Sequence, residues 1–131
     1  MRAVFPLVLF LAFLTFAAFG ASAADRGGFL IYGIGNTACS NFVQAVDGAP
    51  NRQQDEADRF ALLSWAQGYL THYNAYATNT YSIAGNSDTP GIQLWLFNYC
   101  MGHPDVPFET AVAALVNTLY PARMVDGVRR R

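Results

Sequence analysis

Apolar residues along the chain recur at helical spacing in four stretches, each closed by polar residues or by a glycine or proline break. Cys39, Phe42, Val43 and Val46 share one face of a short helix, with Asn36 or Thr37 placed to cap its start. Asp47-Gly48-Ala49-Pro50 stops it. Asn51 opens a long helix whose first turns carry Asp55, Glu56 and Asp58, where acids favour the helix dipole. Two stripes run along that helix: Phe60, Leu63, Ala66 and Leu70, then Leu62, Trp65, Tyr69, Tyr73 and Tyr76. Two stripes predict burial on more than one side, so this is the expected central helix. Gly68 in its middle costs ~1 kcal/mol relative to alanine. With Ser64 one turn earlier, Gly68 predicts a shallow groove where another helix packs closely.

Asn79 to Asp88 reads as a polar loop. Asp88 or Thr89 followed by Pro90 starts a third helix, on which Ile92, Trp95, Leu96, Tyr99 and Cys100 fall on one face. Gly102-His103-Pro104 ends it. The last helix runs from about Pro107 to Leu119, with Phe108, Ala111, Val112, Leu115, Val116 and Leu119 as its stripe and Pro121 as its stop. The expected architecture is all-α, a small four-helix domain over residues 37–121.

The two ends of the chain read differently. Arg2, the apolar run from Val4 to Phe19 and the small residues Gly20 to Ala24 form a cleavable N-terminal signal peptide over residues 1–24. A retained membrane anchor is the alternative, and the run is shorter than the ~20 residues that span a bilayer. The expected location is therefore periplasmic or secreted. Residues 25–36 are glycine-rich and form an irregular arm, and residues 122–131 form a basic tail ending in Arg129-Arg130-Arg131. Removing residues 1–24 from 131 leaves 107, enough for one modest core. The mature chain has no lysine and seven arginines against nine acids, a net charge of −2. That balance gives nucleic acid no electrostatic footprint.

Cys39 and Cys100 are a minimal even pair, which in an oxidising compartment reads as one disulfide tying the four helices. A metal site using Cys39, Cys100, His72 and His103 is the alternative, and its spacing fits no compact zinc pattern. His72 lies among the tyrosines of the long helix and His103 in a turn, and neither has a nucleophile or paired carboxylates beside it in sequence. Surface or boundary positions are the plain expectation for both, and protonation roughly between pH 5 and 7 is the simplest role they can have. The chain thus reads as a binding module, not an enzyme, with no cofactor and no metal. Aromatic residues make up 15% of the sequence. Trp65, Tyr69, Tyr73, Tyr76, Trp95 and Tyr99 are either simply core or part of a protein-binding surface, where tyrosine and tryptophan dominate.

The pattern Cys39-x-x-Phe42, then Trp65-x-x-Gly68-Tyr69-Leu70, then Tyr99-Cys100, Pro104 and Ala111 resembles the HdeA/HdeB family of small periplasmic helical proteins. The likeness covers roughly Thr37 to Leu119. It implies an acid-stress chaperone whose partners are unfolded clients. The same layout is similar to Rap/Tai-type immunity proteins, which implies one specific effector as partner. A homodimer is compatible with either. The chain departs from the first group in having no lysine, and from the second in having no further cysteines. A pH response would be carried by Asp55, Glu56 and Asp58, which stabilise their helix start only while ionised, and by His72 and His103 once protonated.

Overall fold

Four α-helices form in the expected order: α1 (Cys39–Asp47), α2 (Gln53–Tyr76), α3 (Thr89–Gly102) and α4 (Phe108–Leu119). Single 3-10 turns, Gly33–Asn36 and Tyr120–Ala122, flank them. The computed structural model describes residues 29–48 and 53–126, and among these there is no strand. The signal peptide, the start of the arm, Asn51 and the three terminal arginines lie outside the described residues.

α3 and α4 begin and end within a residue or two of where the pattern puts them. Asp88 caps α3, its carboxylate accepting from the Gly91 amide at 2.8 Å, and Pro90 occupies the first turn. α1 is different. Neither Asn36 nor Thr37 caps it: the preceding residue is Ala38, with no side-chain bond, and the Thr37 hydroxyl donates to the Ile34 carbonyl at 2.8 Å. The open amides of α1 are taken instead by the turn between α3 and α4. Cys39 N–H donates to the Val106 carbonyl at 2.8 Å and Ser40 N–H to the Pro104 carbonyl at 2.9 Å. In return, Phe108 N–H donates to the Thr37 carbonyl at 2.8 Å. Two helix starts cap each other through backbone alone, and no local sequence signal announces it.

The Cys39–Cys100 disulfide closes this junction, joining the first residue of α1 to the last turn of α3 across 61 residues. Both cysteines are fully buried beside Phe42 and Phe108, whose ring centroids are 4.9 Å apart. Burying side chains of that size contributes about 1.5–3 kcal/mol each.

α2 is not the central helix. α1 and α4 each pack against the other three helices, whereas α2 and α3 flank them and do not form a packed pair. A hydrogen bond from Gln67 to Thr89 links the two flanks at 3.2 Å. The two expected stripes of α2 collapse into one buried line, Asp55, Leu62, Ala66 and Leu70, with Trp65, Tyr69 and Tyr73 half-buried beside it. Phe60 is 73% exposed and Tyr76 is 77% exposed. Gly68 and Ser64 lie on the exposed side, and a Cβ at Gly68 meets no described atom within 4 Å, so no helix uses this glycine for close approach. The physical reason is coverage: α1, α4 and the Gly33–Asn36 turn pack on α2 along this one line and leave its other face open.

At the far end of α3 the polar loop is partly a core element. Ile83 is fully buried, and its N–H donates to the Asn74 side chain at 2.6 Å. The chain after α4 returns over this loop, with Ser82 and Met124 forming a single antiparallel bridge.

Candidate functional site

The six aromatic residues singled out in the sequence divide into two sets, and no ring contact among the described residues joins them. The first lies along the seam between α2 and α4. Trp65 packs edge-on against Phe108 at 6.3 Å and tilts against Tyr69 at 5.7 Å. Its indole N–H donates to the Tyr32 carbonyl at 3.0 Å, so the arm fixes the ring from outside. Gly35 lies directly on that ring, and any Cβ there would overlap it. Tyr73 meets Tyr120 edge to face at 6.4 Å. Tyr76 stands clear of the seam and touches His72, ring centroids 4.5 Å apart.

The seam also holds a group that the sequence reading passed over. Glu109, in the first turn of α4, is buried and accepts a hydrogen bond from the Tyr69 hydroxyl. Burial, then the Glu109 charge and its hydrogen bond, then Tyr73, hold the Tyr69 phenol above its ordinary value of 10.0. The signal was available in the spacing: Glu109, Val112 and Val116 fall on one helical line, and two of the three are core residues.

The second set is a ladder on α3. Trp95 and Tyr99 stack at 5.4 Å and 15°, and Tyr99 and His103 at 4.3 Å and 16°. His103 Nδ1 lies 2.9 Å from the Tyr99 carbonyl, an acceptor, so Nδ1 carries a proton and donates it. His103 follows the last turn of α3, where a positive charge favours the helix dipole.

The residues expected to respond to pH are not gathered in one place. Asp55 is buried in the first turn of α2, its carboxylate against Gly48 at the end of α1. Glu56 is exposed and lies 4.0 Å from Arg59, a surface pair worth little. Asp58 accepts from Gln54 at 2.8 Å. His72 and His103 are exposed on α2 and just past α3. With Cys39 and Cys100 bonded to one another, the four-ligand metal alternative loses both thiolates. Among the described residues no group of three or more His, Cys, Asp or Glu is placed to hold a metal ion.

Two open clefts flank α1. One, of about 330 Å³, lies between the Gly33–Asn36 turn, α1 and α2 and is lined by Thr37, Asn41, Asp55 and Asp58 among others. The other, of about 530 Å³, runs between the end of α1 and the start of α3 over Val46, Pro90, Leu94 and Phe97. Leu94 on its rim is largely exposed. No described helix is long and apolar enough to cross a membrane.

Fold and site together define a small all-α domain closed by a single disulfide. No protein-family model matches the chain, and no curated protein or solved structure matches it either.

Proposed function

We propose that the chain is a non-enzymatic protein-binding module of the HdeA/HdeB kind, which captures unfolded proteins in acid after export to the periplasm or beyond. The observation that carries this reading is the pairing of half-buried Tyr69 with buried Glu109 in the seam between α2 and α4. An ionised Glu109 accepts the Tyr69 hydroxyl and, from the first turn of α4, favours the helix dipole. Once neutralised it does both more weakly. Trp65, Tyr69 and Tyr73 line that same seam, so α2 swinging away from α4 uncovers the rings an unfolded client would bind, while the disulfide junction keeps α1, α3 and α4 together. Asp55 in the first turn of α2 adds a second buried carboxylate with the same logic. Seven arginines and two protonated histidines then leave the chain increasingly positive and self-repelling.

The test is client aggregation followed by light scattering at about pH 3, below the ordinary carboxylate range, with the chain in several-fold excess. Suppressed scattering is expected, with Glu109→Gln suppressing it at higher pH than the parent. Unchanged scattering with both proteins removes the chaperone reading.

The α3 ladder favours a second reading, an immunity-type protein that neutralises one secreted effector. Trp95, Tyr99 and His103 are held in fixed, half-exposed to exposed positions before any partner arrives, as hot-spot residues are. Pull-down from an envelope extract separates the two: many partners in acid for the chaperone, one partner at neutral pH for the immunity protein.

A further inference from the structure

Beyond the Tyr120 ring that meets Tyr73, the segment after α4 has no part in either reading, yet it makes a closed set of bonds with the loop between α2 and α3. Tyr81 N–H and Ser82 N–H both donate to the Met124 carbonyl, at 2.8 and 3.2 Å, and Met124 N–H donates back to the Ser82 carbonyl at 2.9 Å. Arg123 ties the two strands of this clasp a second time. Its Nε donates to the Asn79 carbonyl at 3.3 Å and its Nη1 to the Tyr120 carbonyl at 2.9 Å, while its guanidinium carbon lies 3.8 Å above the Tyr120 ring. Gly85, in the left-handed region at φ 59°, lets the loop pass under the Ala122 carbonyl, where a Cβ would come within 2.7 Å. Beneath the clasp sits Ile83, fully buried in the core although the loop around it is mostly polar.

We propose that residues 120–126 are a strap that holds Ile83 in the core as a plug, and that this strap opens as a unit while the disulfide junction stays closed. Its bonds are backbone hydrogen bonds at the surface and one arginine, with no covalent tie, which is the composition of a low-stability unit. The Ile83 loop has the chemistry of an internal ligand: one β-branched apolar side chain carried on a short extended pairing. Lifting the strap frees the loop, and once the Asn74 bond yields as well, Ile83 leaves an apolar vacancy for an aliphatic side chain of an unfolded polypeptide. That last step rests on the chaperone reading, whereas the strap itself does not.

Native-state hydrogen exchange on the disulfide-bonded chain at neutral pH tests the strap. The amides of Tyr81, Ser82 and Met124 are expected to exchange through a local opening, well before those of Cys39, Ser40 and Phe108. Arg123→Ala should speed the first group about tenfold, the loss of one charged hydrogen-bonding group, and leave the second unchanged. Gly85→Ala, which pushes a Cβ at the Ala122 carbonyl, should do the same without touching Arg123. If both groups exchange together in the parent and in both variants, the strap is not a separate unit and the proposal fails. Binding is read with reduced, carboxymethylated α-lactalbumin, which stays unfolded at neutral pH. Capture by the two variants but not by the parent supports the plug. Local opening with no capture at neutral or acid pH keeps the strap and overturns the chaperone reading on which the plug's role rests.

Discussion

At the C-terminal end of α3, Cys100 is bonded to Cys39, and the starts of α1 and α4 share backbone hydrogen bonds across the same few residues. At the N-terminal end of α3, the loop carrying Ile83 is held by a surface clasp of backbone bonds, Asn74 and Arg123. Both ends bury a fully enclosed apolar side chain, Phe108 at one and Ile83 at the other. They differ in what must be broken to release it. At the junction, separation is limited by a covalent bond and costs core packing around two phenylalanines. At the strap, four surface hydrogen bonds, the Asn74 bond and the burial of one isoleucine are lost, and no covalent bond stands in the way. A small domain with one disulfide thus has a fixed end and an end free to open, and apolar surface can be offered from the second without losing the first.

The comparison breaks most severely if the covalent tie is removed. Replacing Cys39 and Cys100 by serine together should lower stability by about 4 kcal/mol in the loop-entropy account for a loop of this length. Urea denaturation measures it, and a loss below about 1 kcal/mol would mean that the junction's hydrogen bonds hold it unaided. Next in size is Gly35→Ala. The new methyl must displace Trp65 or the arm, an overpacking cost of about 1–3 kcal/mol, with a shift in tryptophan emission as the local sign.

Tyr69→Phe removes the hydroxyl that Glu109 accepts from inside the seam, at a cost of about 1–2 kcal/mol. It also carries a pH signature. The folded phenol titrates above the ordinary 10.0, so its contribution is complete below that value and is lost as pH rises through the higher folded one. The parent should therefore lose stability in strong alkali with a limb that Tyr69→Phe lacks, as thermal melts across that range will show. Smallest is Gly68→Ala, which should raise stability by up to about 1 kcal/mol, because the position is exposed, helical and open to a methyl group.

That last expectation reverses what the sequence suggested, and the reason is general. Spacing reported the faces of α3 and α4 correctly because each of those helices has one apolar stripe and one neighbour set. On α2 the same rule found two stripes, and it had no way to know that the neighbouring elements cover one face only, leaving Phe60 and Tyr76 in solvent. The caps divide in the same way. Asp88 acts on Gly91 three residues away, a local event that sequence reports. The start of α1 is satisfied by Val106 and Pro104, more than sixty residues on, which no local motif encodes. Ile83 was hidden by its mostly polar loop. Glu109 goes unnoticed in the sequence although its spacing places it on the core face of α4. The disulfide, by contrast, was legible from two cysteines alone.

The central claim is that the molecule opens from the strap end and stays shut at the junction. Limited digestion of the disulfide-bonded chain with pepsin at about pH 3, near where ordinary carboxylates become protonated, tests it directly, with the first cut located by mass spectrometry. The account expects that cut within residues 77–88 or 120–126, with the Cys39–Cys100 bond still joining the fragments. A first cut within residues 37–47 or 100–110 would contradict it.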